Sequence, residues 1–160
     1  MDGFIICLMP SEVNISEFTA SFPDENACIT FLEKSRWANE PISPFTNGAA
    51  YRFTGKPGLY RCKETRQNFS VRNGTIFEES RLPLRKWFFA IFLLNSLKGI
   101  SSVQIAKYLG VTQKTAWFML QRIRYAIEHE SFKKPHSDDA VHIDEVLTHA
   151  GKKENQSLTT

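Results

Sequence analysis

The stretch SSVQIAKYLGVTQKTAWFMLQRI, residues 101–123, constrains the fold more than any other part of the sequence. Two helical patterns meet in it at a tight turn, Leu109–Gly110–Val111, and glycine ends helices because it adopts a left-handed backbone without strain. Thr112 stands where the second helix would begin, and threonine is a favoured N-cap residue. A short helix, a tight turn and a second helix match the plan of a helix-turn-helix unit.

The second helix of this unit has an apolar side and a polar side. The apolar residues recur at helical spacing and are predicted to face the core: Ala116, Met119, Leu120, Ile123 and Ile127. The cap and the residues on the outward side are the candidate DNA contacts: Thr112, Gln113, Lys114, Trp117, Gln121 and Arg124. Such a helix can lie in a major groove, with its first polar side chains on base edges and later ones on phosphates. The alternative is a three-helix packing module that binds no ligand.

The charge of the chain is divided into three blocks. Residues 1–51 carry a net charge of −5, residues 52–124 carry +11 and residues 125–160 carry −3, within a total of +3. A basic central block indicates a polyanionic partner, and the alternative is a solvated basic face. Three cysteines, an odd number, argue against a disulfide framework. No apolar run approaches the roughly 18–20 residues that span a membrane, so the sequence predicts a cytoplasmic protein.

Four segments are predicted, and together they make the chain an α+β protein. Residues 1–41 form an N-terminal segment with one helix, and residues 42–76 form a small β-meander of about three strands. Residues 77–130 form the helix-turn-helix module, whose first helix is apolar on nearly all sides, and residues 131–160 form a linker and one strand. A sheet as small as this meander needs a staple such as a metal, or support from a neighbouring module.

The first helix of the module contains more aromatic residues than one small module needs. These residues are Trp87, Phe88, Phe89 and Phe92. An unpaired apolar face is therefore expected, which would pack against another domain or a second subunit.

The run from Gly58 to Ile127 resembles the N-terminal half of a group of bacterial insertion-sequence transposases, the ISXO-like group. The matching words are YRC, FSV, GTIFE, LPLRKW, KGIS, LGV, KTAWFMLQRIR and, later, VHIDE with GKKEN. The resemblance covers about residues 22–155. Members of this group have a zinc ribbon, a helix-turn-helix and a DDE-type catalytic domain that resembles ribonuclease H. The resemblance thus implies a nucleoid-associated protein that binds duplex DNA at transposon ends.

The resemblance also implies where zinc would be bound. The ribbon of the group holds zinc through two Cys-x-x-Cys pairs, and the matching positions here are Ser43, Thr46, Cys62 and Thr65. A hydroxyl is a poor zinc ligand at neutral pH because the site needs deprotonated donors. The sequence therefore predicts a ribbon without structural zinc, in which Cys62 is a small buried residue rather than a functional thiol.

The first of the three catalytic carboxylates of the group falls by resemblance on Asp144, in HIDEV. In DDE enzymes three such acids hold two Mg²⁺ ions that activate the attacking oxygen. Beyond HIDEV the sequence has no further Asp and one Glu, Glu154. We therefore expect a truncated first strand of a ribonuclease H-like domain, which cannot cut DNA alone. His136, His142 and His149 lack the spacing of a histidine metal site.

Three functions remain open at this point. The first is a truncated transposase that binds element ends without cleaving them, as a remnant, as a competitor of an intact transposase, or as the first half of a split enzyme completed by another chain. The second is a helix-turn-helix transcriptional regulator, and the third is an interaction domain whose helices self-associate. Further DDE-type carboxylates encoded in another frame nearby would favour the first. A promoter-proximal target without flanking inverted repeats would favour the second.

Overall fold

The computed structural model describes residues 14–38, 40–97 and 99–129. This part of the chain contains five helices and a three-stranded antiparallel sheet, which confirms the α+β class. The helices are α1 (Ile15–Ser21), α2 (Glu25–Arg36), α3 (Leu84–Ser96), α4 (Ser102–Leu109) and α5 (Gln113–Glu128). The strands are β1 (Ala50–Arg52), β2 (Leu59–Cys62) and β3 (Asn68–Ser70). In the described ranges no helix has the length and apolar character needed to cross a membrane.

The N-terminal segment contains two helices, where the sequence predicted one. The additional helix, α1, has seven residues and buries one of them, Phe18, so it shows no apolar period in the sequence. The predicted helix, α2, begins after Asp24, whose carboxylate accepts the backbone N–H of Ala27 at 2.8 Å. That bond satisfies one of the N–H groups that every helix leaves open in its first turn.

The sheet is the meander that the sequence predicted, with the strands in the order β1-β2-β3. Residues of a strand point alternately to its two faces, so Tyr60 of β2 and Phe69 of β3 share the inner face. Their rings stack with centroids 5.4 Å apart, and Trp37, which follows α2, packs edge-on against Tyr60 at 5.0 Å. The sheet is therefore supported by α2 from one side.

Helix α3 lies at the centre of the fold and buries seven of its thirteen residues. Its aromatic side chains are covered by the N-terminal helices: Phe18 lies 5.2 Å from Phe89, and Phe22 lies 5.1 Å from Phe88, between ring centroids. The fully or nearly fully buried residues of the aromatic set are Trp87, Phe88 and Phe92, and Phe89 is half-buried. The face that the sequence predicted to be unpaired is thus packed within the chain, because α1 adds a layer that the sequence pattern did not indicate.

One carboxylate joins the N-terminal helices to α3. Helix α3 follows Pro83, which provides no side-chain cap. Instead Glu25 of α2 accepts the backbone N–H of Leu84 at 2.7 Å and that of Arg85 at 3.0 Å. Arg72, in the segment after β3, pairs with Glu25 at 2.9 Å and donates to two backbone carbonyls in the loop before α3. Three segments that are distant in the sequence therefore meet at one side chain.

The predicted segments share a single core across the described residues. One cluster of contacting buried side chains extends from Phe18 in α1 to Ala126 in α5 and includes Tyr60 and Phe69 of the sheet. The small sheet and the helices after it are thus parts of one packed body.

Candidate nucleic-acid interface

Helices α4 and α5 are joined by the tight turn that the sequence predicted at Gly110. Ser101 and Gln104 begin α4 with reciprocal bonds: the Ser101 hydroxyl accepts the N–H of Gln104 at 3.3 Å, and the Gln104 side chain accepts the N–H of Ser101 at 2.9 Å. Gly110 ends α4 with a φ of 62°, in the left-handed region, and its N–H bonds to the carbonyl of Ala106. Both boundaries are fixed by local chemistry, which is why the sequence located them.

Helix α5 begins at the predicted cap, Thr112. Its hydroxyl accepts the N–H of Thr115 at 3.2 Å and lies 2.8 Å from the Thr115 hydroxyl. The first turn of α5 is exposed at Thr112, Gln113 and Lys114, so its open N–H groups and its first polar side chains face solvent together.

The buried side of α5 agrees with the prediction except in its last turn. Four of the five predicted core residues are buried: Ala116, Met119, Leu120 and Ile123. Ile127 is 37% exposed, so its assignment to the core is wrong, and Ala126 is fully buried in its place. The elements that cover α5 therefore pack against the Ala126 side of the last turn, which the helical period alone cannot specify.

The predicted contact residues form one narrow strip on the other side of α5. At about 100° of rotation per residue, Gln113, Lys114, Trp117, Gln121 and Arg124 fall within an arc of about 100°. Gln121 is half-buried and the other four are exposed, with 43% of Trp117 accessible. Among the described residues neither Lys114 nor Arg124 belongs to an ion pair. The strip therefore presents amide donors and two uncompensated cations around an exposed indole.

Sequence reasoning did not single out Arg122, which anchors α5 to the segment after the sheet. One Nη of Arg122 donates to the carbonyls of Ile76 and Glu78, each at 2.8 Å, and the guanidinium lies 4.5 Å from the centroid of the Phe118 ring. Burial lowers the pKa of Arg122, and the nearby Glu79 carboxylate opposes that shift. Arg122 is rotated by about 160° from Arg124 around the helix axis. The helical period therefore already indicated that Arg122 does not belong to the strip of predicted DNA contacts.

The four positions that the resemblance assigns to zinc ligands meet in the structure. Cys62 is fully buried, and its sulfur lies 3.6 Å from the Thr46 hydroxyl. The same sulfur accepts the backbone N–H of Thr65 at 3.4 Å and a hydrogen bond from the buried Ser43 hydroxyl. These hydrogen bonds, that of Ser43 first and those of Thr65 next, lower the pKa of the Cys62 thiol to about 6.

The spacing of the side chains in this cluster fits a zinc ion, but their donor atoms do not. A tetrahedral zinc with Zn–S distances of about 2.3 Å requires sulfurs about 3.8 Å apart, close to the 3.6 Å between Cys62 and Thr46. Three of the four side chains are hydroxyls, however, and these do not fit structural zinc at neutral pH. In the described part of the chain no three Cys, His, Asp or Glu residues group in a way that could hold a metal ion.

The residues that the resemblance connects to catalysis lie outside the described ranges. These are the candidate carboxylate Asp144, Glu154 and the three histidines His136, His142 and His149. The predicted truncated strand of a ribonuclease H-like domain, which contains Asp144, therefore also lies outside the described residues.

The chain is similar in sequence to a protein of a transposable element. No profile of a known protein family matches the chain, and no solved structure matches it. The chain is 30% identical over 136 residues to an uncharacterized protein in the transposable element ISH50 of Halobacterium salinarum. The aligned region covers 83% of this chain and 45% of the relative, so the chain spans a little under half of that protein's length.

Proposed function

We propose that this chain, a homologue of a transposable-element protein, is the DNA-recognition part of an insertion-sequence transposase and binds duplex DNA at element ends through α5. The observation that supports this most is the strip of polar, cationic and aromatic side chains on α5, opposite a side that is packed into the core. A recognition helix needs this division, because one side must pack against the rest of the protein while the opposite side presents hydrogen-bond donors to the major groove.

Each part of the strip has a chemical counterpart on DNA. Gln113 and Lys114, in the first turn, can reach base edges, since glutamine pairs with the N6 and N7 of adenine and lysine with the O6 and N7 of guanine. Arg124, almost three turns later, is placed for a phosphate, and the Trp117 indole provides apolar contact area between the two ends of the strip. The first turn of α5, with the Thr112 hydroxyl, also directs open backbone N–H groups towards an anion.

The positive charge of the central part of the chain also favours DNA as the partner. Fourteen Lys and Arg residues against three Glu residues give residues 52–124 a net charge of +11. Such a block attracts the phosphate backbone at long range and makes binding depend steeply on salt concentration.

In this proposal the 160 residues bind element ends but do not cut or join DNA by themselves. By the resemblance, cleavage would need Asp144 together with two further carboxylates and two Mg²⁺ ions, which another chain or an intact transposase would contribute. The ribbon would be held by its hydrogen bonds and its contacts with α2 rather than by zinc.

The test is binding to a duplex that carries an element end, measured by fluorescence anisotropy at several salt concentrations. We expect both variants to weaken binding. Lys114→Ala removes a base contact and should weaken binding on the order of tenfold. Arg124→Ala removes a phosphate contact and should lower the salt slope by about one. Lys34→Ala is the matched control, because Lys34 is an exposed lysine near the end of α2.

Two results would overturn the proposal. The first is a wild-type chain that fails to bind duplex DNA, or binds it without salt dependence. The second is an unchanged affinity in both α5 variants, with unfolding in urea showing that they are folded. Equal affinity for element ends and unrelated duplexes, with preference for a promoter, would favour a transcriptional regulator instead.

A further inference from the structure

The outward face of the small sheet carries a row of polar side chains across all three strands. In the antiparallel register Tyr51 of β1 is paired with Arg61 of β2, and Arg61 is paired with Asn68 of β3. All three residues are exposed, and the accessible fraction of Tyr51 is 53%. Opposed residues in such a sheet lie about 5 Å apart, so the row is continuous.

Two more cations extend this row. Lys63 is two residues beyond Arg61, and its ammonium lies 4.9 Å from the centroid of the Tyr51 ring. Arg66 is exposed in the turn between β2 and β3. We call these five residues the outer sheet face: Tyr51, Arg61, Lys63, Arg66 and Asn68.

The charge of this face is not compensated within the fold. Residues 50–70 contain five Lys and Arg residues and one acid, Glu64. Two arginines at the inner side of the sheet and just after it have carboxylate partners, since Arg52 pairs with Glu33 at 3.3 Å and Arg72 pairs with Glu25 at 2.9 Å. In the ranges described by the structure, by contrast, none of the three cations of the outer sheet face belongs to an ion pair.

Hydrogen bonds hold the central cation of the face in position. The Nε of Arg61 donates to the side-chain oxygen of Asn68 at 3.2 Å and to the backbone carbonyl of Arg66 at 3.1 Å. An arginine fixed in this way loses less conformational freedom when it binds an anion than a freely rotating one.

We propose that the outer sheet face is a second DNA-binding surface, which contacts the phosphate backbone of the same duplex that α5 reads. The inference rests on the proposed function of α5. Arginine, lysine, asparagine and tyrosine are all side chains that contact DNA phosphates, and the face consists of these four types.

The composition of the face favours a duplex over a single strand. Proteins that bind single strands stack successive bases on several aromatic side chains. The strands contain three aromatic residues, and two of them, Tyr60 and Phe69, are buried in the core. Tyr51 alone is left on the outer sheet face, where its hydroxyl can donate to a phosphate.

The experiment compares two double variants with equal changes in charge. Lys63→Gln with Arg66→Gln neutralises two cations of the outer sheet face, while Lys34→Gln with Arg81→Gln neutralises two exposed cations on α2 and in the loop before α3. For each protein the duplex affinity is measured against salt concentration, and unfolding in urea shows whether the fold is retained.

We expect the first double variant to lower the salt slope of binding by about two, because each lost phosphate contact lowers it by roughly 0.9, and the second to leave it unchanged. Shortening the duplex until the region under the sheet is removed should lower the wild-type salt slope at least as far as that of the first variant, since Arg61 then loses its phosphate as well. An equal effect in both double variants would overturn the inference, since binding would then follow net charge alone.

The failure of this inference is distinguishable from that of the proposed function. If Lys114→Ala weakens binding while Lys63→Gln with Arg66→Gln leaves the salt slope unchanged, the sheet makes no contact and α5 still reads DNA. If the wild-type chain prefers a single-stranded oligonucleotide to the duplex, the assignment of the outer sheet face is wrong. If the wild-type chain does not bind duplex DNA at all, both the proposed function of α5 and the assignment of the outer sheet face are wrong.

Discussion

The carboxylate of Glu25 caps α3 by accepting the backbone N–H of Leu84 at 2.7 Å, although 59 positions separate the two residues in the sequence. Helix α3 is the central helix of the core, and Pro83 leaves its first turn without a side-chain cap. The start of the central helix therefore depends on a residue that belongs to the N-terminal helices.

Replacing Glu25 should destabilise the whole chain. We expect Glu25→Ala to lower the free energy of unfolding by about 1–3 kcal/mol, because two N–H groups of α3 lose a charged acceptor. The ion pair with Arg72 should add little to this loss, since the Glu25 side chain is 36% exposed and the pair is screened by water. Urea unfolding measures the effect, and Glu17→Ala, at an exposed glutamate in α1, should change stability by less than about 0.5 kcal/mol.

Gly110 should tolerate asparagine better than alanine. Its φ of 62° strains any residue with a side chain, whereas no atom lies within 4 Å of the Cβ that a substitution would add. The cost of Gly110→Ala is therefore backbone strain alone, about 1–2 kcal/mol, and Gly110→Asn should cost less because asparagine adopts this conformation more readily. Equal losses of stability in thermal unfolding would show that the turn between α4 and α5 has another backbone geometry.

Substitution of the two arginines near the end of α5 should have different effects, one on stability and the other on DNA binding. Arg122→Met removes the donor to two backbone carbonyls and should lower the free energy of unfolding by about 2 kcal/mol. Arg124→Met should leave stability within about 0.5 kcal/mol and weaken duplex binding. Urea unfolding and anisotropy on both variants separate these effects. A stable Arg122→Met variant that loses DNA binding would reverse the assignment of the two faces.

The ribbon should be independent of zinc and should accept it after three substitutions. We expect the purified protein to contain no stoichiometric zinc and its melting temperature to be unchanged by a chelator. Combining Ser43→Cys, Thr46→Cys and Thr65→Cys supplies four thiols around one point, so this variant should bind Zn²⁺ or Co²⁺ and melt at a higher temperature as metal is added. Zinc in the wild-type protein, removed by the chelator with loss of the fold, would contradict this prediction.

The sequence located those elements whose boundaries are set by nearby residues. The two helices around Gly110 have their own caps, and the meander has its own turns, so both were predicted close to their observed bounds. The buried strip on α5 was also predicted up to Ile123, because a long amphipathic helix repeats its pattern several times.

What the sequence did not indicate depends on contacts between distant residues. Helix α1 is held through Phe18, whose ring lies 5.2 Å from each of Phe89 and Phe92, about seventy positions later in the chain. Ile127 satisfies the helical period, but the elements in the described residues leave 37% of it exposed. The meeting of Cys62 with three hydroxyl side chains follows from the pairing of the strands, and it was inferred in advance by resemblance alone.

The single core that joins the sheet to α5 has a consequence for target choice. In the described residues the outer sheet face and α5, the helix proposed to read DNA, are built on the same cluster of buried side chains, which extends from Phe18 to Ala126. Duplex DNA turns once in about 10.5 base pairs, so inserting about five base pairs between two contact points moves one of them to the opposite side of the double helix. If both proposed surfaces contact one duplex, we therefore expect this protein to discriminate between targets by helical phase as well as by base sequence.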